Sequence, residues 1–165
     1  MSQLPTLKKS IVTTPVGKLH VAFSEEAFHF CLWDFEVKTE TAFERAIFVK
    51  SHPLLTEFKT QVKEYFAGLR KDFDLPLNLQ GTPFQVKAWQ TLSEIPYGKT
   101  FSYADQAKKM KAPKAVRAVG TANSKNPICL IIPCHRVTRS DGTLGGYAGG
   151  IQIKQRLLEL ESKNY

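Results

Sequence analysis

The strongest constraint on the fold is a change of hydrophobic period across the polar, proline-containing stretch "RKDFDLPLNLQG", residues 70–81. Before it, Leu19, Val21 and Phe23 occupy alternate positions, the period of a strand with one covered face. "LKKSIVTTPVGKLHVAFS" reads as two short strands around Pro15-Val16-Gly17, and "AFHFCLWDFE" as a third, with Phe28, Phe30 and Leu32 on one face. A helix follows from Pro53. Leu54, Leu55, Phe58, Val62, Tyr65, Phe66 and Leu69 keep to a 3.6-residue stripe, and Gly68 marks its stop. After the stretch, helix signals take over. In "TPFQVKAWQTL" Thr82 is an N-cap, Pro83 suits the first helical position, and Gln85 completes a capping box. "IPYGKT" then forms a turn, Ser102 and Asp105 repeat the capping-box spacing, and Pro113 opens a third helix, "PKAVRAVGTANS". The expected class is α+β: a small antiparallel sheet with a helix over residues 1–80, and a mostly helical unit over 81–165.

Charge follows the same divide. Residues 1–80 carry ten Lys+Arg and ten Asp+Glu, whereas residues 81–165 carry thirteen against five, so the whole net charge of +8 lies in the second unit. This balance points to a polyanion partner, with an inert basic surface as the alternative. The two short helices between Ser102 and Ser124 form a helix-turn-helix candidate. Helices that read the major groove present long polar side chains. Here Ala115, Ala118 and Ala122 share a stripe beside Gly120, and Lys114 and Arg117 are the long cations. Small residues allow a close approach to the minor groove, or they pack on a core, and both readings stand. No apolar run spans a bilayer, and "MSQLPTLKKS" lacks the apolar centre of a secretion signal, so a cytoplasmic protein without a membrane partner is expected. Cys31, Cys129 and Cys134 are odd in number and widely spaced, which fits a reducing compartment; Cys31 and Cys129 read as buried core thiols. His29 and Cys31 form an H-x-C with no second pair at finger-like spacing, so no metal site is expected.

The chemistry centres on "IPCHRV", residues 132–137. The apolar run from Ile128 to Ile132 reads as a short buried strand that delivers Cys134 at its end. A thiol attacks as its thiolate, and His135 and Arg136 offer the donors and positive charge that would favour that form. Strand neighbours point to opposite faces, so His135 would reach the thiol only through a water or a bend. A base needs an acid to orient it, and Asp141, Glu159 and Glu161 lie downstream. "DGTLGGYAGG" places five of the chain's ten glycines within residues 142–150, around Tyr147. It is either a flexible loop or a pocket wall whose amides approach a flat ligand. A Cys-His doublet also serves hydrolases, and a helix-turn-helix also serves binding modules without chemistry, so three function classes stay open on these residues.

Taken in order, "FQVKAWQTLSEIPYGKTFSYADQA", "RAVG-x-A-N-x-x-N-P", "PCHRV", "GGYAGG" and a final "K-x-x-LL-x-x-E" resemble the O6-alkylguanine-DNA alkyltransferase family over residues 82–161. The resemblance implies a ribonuclease H-like first domain and a second domain with a winged-helix-like helix-turn-helix. It implies stoichiometric, irreversible transfer of the alkyl group from O6-alkylguanine, and from O4-alkylthymine as a second candidate, after the base is flipped out of double-stranded DNA. Cys134 would be the acceptor, His135 a base acting through a water, Glu161 the acid that orients it, and Asn126 the residue that ties the helix-turn-helix to the active-site segment. Arg117 would fill the vacated stack. Tyr103 would crowd the phosphate and donate a proton to the leaving guanine, with Lys114, Ala118 and Ser140 as further DNA contacts. Pro133, Val137, Tyr147, Ala148 and Lys154 would form the guanine pocket. The resemblance further implies no metal and no cofactor, and a monomer whose cooperativity on DNA is open. Cys129 stands where some members carry proline. No zinc-binding cysteine cluster precedes the domain, so a stand-alone repair protein is expected.

Overall fold

The structure, a computed structural model, describes residues 5–165. Strands β1 (Lys8–Thr14) and β2 (Gly17–Phe23) pair antiparallel from Lys8↔Phe23 to Thr14↔Gly17. Thr14 closes their tight turn, its hydroxyl accepting from the Val16 and Gly17 amides and donating to the Gly17 carbonyl. Leu19, Val21 and Phe23 form the covered face, as their alternation predicts. Strand β3 (Phe28–Trp33) pairs with β2, but its register shifts at Phe23, which faces Phe28 while Ala22 faces Phe30. That bulge moves Phe28 off the face expected to hold it with Phe30 and Leu32. Phe28 packs instead on Phe23 and Phe58, with ring centroids 5.5 and 5.3 Å apart, while Phe30 packs on Phe43 at 5.8 Å. A two-residue strand, β4 (Ile47–Phe48), follows the short helix α1 (Ala42–Arg45) and pairs parallel with β1. The sheet order is β3-β2-β1-β4, so the antiparallel hairpins carry one parallel edge.

Helix α2 (Pro53–Phe66) buries Leu55, Phe58, Val62 and Tyr65, and the His52 ring caps it by accepting from the Leu54 amide. Leu69 does not continue this stripe. Gly68 adopts φ +74°, turns the chain away, and leaves Leu69 exposed.

In the second half, α3 (Pro83–Ser93) and α4 (Tyr103–Lys109) begin at the two expected capping boxes, Thr82/Gln85 and Ser102/Asp105. Pro113 opens a turn rather than a helix. The Ala115 amide bonds the Ala112 carbonyl at 2.9 Å, and α5 (Val116–Ser124) starts after it. Gln106 and Asn123 exchange amide hydrogen bonds of 2.9 and 2.7 Å between α4 and α5, and Gln106 also donates to the Ala88 carbonyl of α3. Ala88, Ala107, Met110, Val119 and Ala122 fill the small core among these three helices. The alanine stripe is thereby split: Ala122 packs on the core and Ala118 faces solvent. Strands β5 (Phe101–Ser102) and β6 (Val137–Thr138) form a short parallel pair, and α6 (Ile151–Lys163) packs on residues 134–136 just before β6, with Lys154, Leu157 and Glu161 inward.

Residues 128–132 are not the strand their apolarity suggests. They form a tight turn, with Leu130 at φ +70° and the Ile132 amide bonded to the Ile128 carbonyl at 3.0 Å. Buried backbone groups must find partners, and here the Asn126 side chain supplies them. It accepts from the Ile128 amide at 3.0 Å and donates to the Ile132 carbonyl at 2.9 Å. The edge of β3 clips the turn in place through Cys31 N–H to Pro127 at 2.9 Å and Cys129 N–H to Cys31 at 2.7 Å. Among the described residues, no helix is long and apolar enough to cross a membrane.

Candidate active site

Cys134 opens a one-turn 3-10 helix, Cys134–Arg136, directly after the Asn126-closed turn. All three of its residues are buried. Because the segment is helical rather than extended, His135 and Arg136 both turn toward α6. His135 Nε2 lies 2.8 Å from Glu161 Oε1. Arg136 donates to the same carboxylate through Nε and Nη2, each at 2.9 Å, and through Nη1 to the Ile95 carbonyl at 2.7 Å. Burial pushes the Glu161 carboxyl up, but the His135 and Arg136 contacts outweigh it and hold it at about 2. Burial lowers His135 and keeps the ring neutral, while Arg136 supplies the charge that Glu161 needs. Since Glu161 accepts, Nε2 carries the ring proton and Nδ1 keeps its lone pair. Nδ1 is buried and has no protein hydrogen-bond partner among the described residues.

The cysteine faces a cavity of about 290 Å³ lined by Tyr103, Gly120, Cys129, Cys134, Tyr147 and Ala148, among others. The neighbouring Cys129 side chain is the largest influence lowering the Cys134 thiol; burial opposes it, and the Asn126 side chain and Lys154 ammonium reinforce it. The charge expected from His135 and Arg136 is committed to Glu161, and Lys154 takes that role. Burial depresses Lys154 itself to about 8, although the neighbouring thiol partly supports its charge. Its ammonium donates to the Val137 carbonyl at 2.5 Å and the Gly146 carbonyl at 3.2 Å. Cys31 is also fully buried, but burial and the nearby Glu36 push its thiol well up. Cys31 fits the structural role expected of it. Cys129, expected to be a core thiol, is buried yet stands on the cavity wall.

The structure gathers some candidate residues at the cavity and leaves others outside. Tyr103, Tyr147 and Ala148 line it. Pro133, Val137 and Lys154, expected in the pocket, are buried outside its lining. Lys114, Arg117 and Ala118 are exposed on α5 and the turn before it, and Ser140 is exposed after β6. Three groups whose place here no sequence pattern marks complete the site. The Tyr65 hydroxyl of α2 donates to Glu161 Oε1 at 2.7 Å. Trp33 Nε1 donates to the Tyr147 hydroxyl at 3.0 Å. Glu36 accepts from the Cys129 thiol at 3.5 Å and from the Trp33 amide at 2.9 Å. All three come from the first half of the chain, where only their apolar or charged character was visible. Trp33 also explains Gly149, where a Cβ would lie 2.3 Å from the indole. Among the described residues, no group of three or more His, Cys, Asp or Glu side chains is arranged to hold a metal ion.

Comparison with known proteins gives matches over both halves. Residues 7–79 match the ribonuclease-like domain, and residues 83–163 the DNA-binding domain, of 6-O-methylguanine DNA methyltransferase. A methylated-DNA–protein-cysteine methyltransferase of Methanosarcina barkeri is 42% identical over 154 residues, covering 93% of this chain and 96% of that protein. The constitutive methylated-DNA–protein-cysteine methyltransferase of Bacillus subtilis is 53% identical over 117 residues, covering 70% of this chain and 71% of that protein. A crystal structure of Mycobacterium tuberculosis OGT in complex with DNA superposes with a TM-score of 0.87 at 38% identity, covering 95% of this chain and 94% of that one.

Proposed function

Because the chain belongs to the 6-O-methylguanine DNA methyltransferase family, we propose that it repairs double-stranded DNA by moving the alkyl group of a flipped-out O6-alkylguanine onto Cys134. The observation that carries this reading is a thiol of lowered pKa on the wall of a cavity beside α5, next to a buried neutral imidazole held by a carboxylate.

In this reaction the Cys134 proton passes through a water to His135 Nδ1, the lone pair that Glu161 leaves available by accepting at Nε2. The thiolate attacks the alkyl carbon, the carbon–O6 bond breaks, and the guanine oxygen takes a proton from the Tyr103 hydroxyl. Burial, the most important influence, and the adjacent Cys134 raise Tyr103, so it is a protonated donor at neutral pH. Asn126 fixes the turn that aims Cys134 and helps to lower its thiol. Tyr147 and Ala148 flank the guanine, while Lys154 tethers β6 to the glycine-rich wall and stabilises the thiolate. Exposed Lys114, Arg117 and Ala118 face the duplex, with Arg117 entering the vacated stack and Ser140 touching the backbone. The thiolate is a poor leaving group from the resulting thioether, so each molecule acts once. Three free thiols suit a reducing, cytoplasmic setting.

The test is mass spectrometry after incubation with a duplex containing O6-methylguanine. The expected result is a gain of one methylene on the peptide carrying Cys134, saturating at one per protein. Binding of that duplex with no mass gain would overturn transfer, and repeated turnover of an ester or amide would favour a hydrolase.

A further inference from the structure

Cys129 is a nucleophilic side chain on the cavity wall to which the transfer reaction gives no step. It is buried, it lines the same cavity as Cys134, and the tight turn between residues 128 and 132 folds it back beside that thiol. Both thiols face that cavity, and on its other side the Cys129 thiol donates to the Glu36 carboxylate, 3.5 Å from each oxygen. A nucleophilic thiol with a second thiol on the same cavity wall, and a carboxylate behind the second, is the arrangement of a peroxidatic and a resolving cysteine.

We propose that Cys129 and Cys134 form a reversible disulfide when the protein meets a hydroperoxide, making the pair a modification site that shields the acceptor from irreversible oxidation. The Cys134 thiolate attacks the peroxide oxygen. The O–O bond breaks, the departing alkoxide or hydroxide takes a proton, and the sulfur becomes a sulfenic acid. The Cys129 sulfur then attacks Cys134, passing its proton through Glu36 to the leaving hydroxide, which departs as water. Two thiols are oxidised and one peroxide is reduced to an alcohol, or to water when hydrogen peroxide is the oxidant. Cys31 is left out of this exchange because it does not line the cavity that Cys129 and Cys134 share, and its backbone is committed to clipping the turn. The ring would be small, since only four residues separate the two cysteines.

The full-length protein, treated with hydrogen peroxide and digested, tests this by mass. The peptide spanning residues 126–136 contains both cysteines and should lose two hydrogens, then regain them with dithiothreitol. Capacity to accept a methyl group from O6-methylguanine DNA should fall and return in parallel. In Cys129→Ser the same treatment should carry Cys134 to the sulfinic acid, with roughly tenfold less capacity recovered by dithiothreitol than in the unaltered protein. Cys31→Ser should still form the disulfide, as should the unaltered protein. Equal loss of recoverable thiol with and without Cys129, or a disulfide that joins Cys31 to Cys129, would overturn the proposal. The mass readout does not depend on alkyl transfer: untreated protein that never accepts a methyl group would refute the transfer reading while leaving the disulfide to be judged by mass.

Discussion

Two buried polar clusters organise the second half of the molecule, and they are built from opposite chemistry. Around Glu161 the partners are ionic or strongly polar: Arg136 through two nitrogens, His135 through one, and the Tyr65 hydroxyl. Between α4 and α5 the partners are the neutral amides of Gln106 and Asn123. Both clusters fix geometry, yet only the first can hold or pass a proton. A neutral pair orients helices without titrating. A charged cluster costs desolvation and is kept where a proton must be managed.

Removing the carboxylate is the harshest way to break this contrast. Glu161→Ala strands Arg136 and His135 in the interior and should lower unfolding free energy by about 3–5 kcal/mol, measured by urea denaturation, with transfer to Cys134 nearly abolished. The acid limb of stability sharpens it next. Glu161 is held at about 2, below its unfolded value, so its contribution is fully present above the ordinary carboxylate range and is lost as pH falls toward 2. Buried neutral His135 acts in the same direction, because the unfolded ring binds its proton more readily. The Glu161 part is on the order of 3 kcal/mol, and a series of thermal midpoints from pH 7 to 3 should show a limb that Glu161→Gln flattens. The amide cluster should behave differently. Gln106→Ala leaves Asn123 unpaired and should cost about 1–3 kcal/mol, with no new pH dependence. It should slow repair of duplex DNA far more than reaction with free O6-benzylguanine, which needs the thiol but not the helix pair. Smallest is the cap on α4: Ser102→Ala should remove about 1 kcal/mol and leave both reactions close to their starting rates.

What the sequence revealed depended on how far its partners lay along the chain. The capping boxes at Thr82/Gln85 and Ser102/Asp105 are contacts across three residues, and both were readable from spacing. So was α2, bounded by Pro53 and Gly68. The run from Ile128 to Ile132 was misread because burial is the same for a strand and for a turn, and only the Asn126 side chain decides between them. Phe28 was placed on the wrong face because one extra residue in a strand shifts every alternation after it. At the site, Cys134 stood out locally, whereas Glu161 was one of three downstream acids until family resemblance singled it out. Tyr65 lies 96 residues from the carboxylate it bonds, and Trp33 lies 114 from Tyr147. Such pairs are created by docking of the two halves, which no local pattern records.

The clip between β3 and the turn ahead of Cys134 has a consequence for biosynthesis. Cys31 and its strand leave the ribosome well before Ile128, so the edge that receives the turn is already made when the turn emerges. Glu161, near the end of the chain, is the last member of the His135 cluster to arrive, and it binds Tyr65, made long before. On the proposed function, a nascent or half-opened molecule therefore lacks the carboxylate that fixes His135 for its task. An acceptor whose base is completed only when the chain's end docks is spared stray electrophiles before the protein is finished.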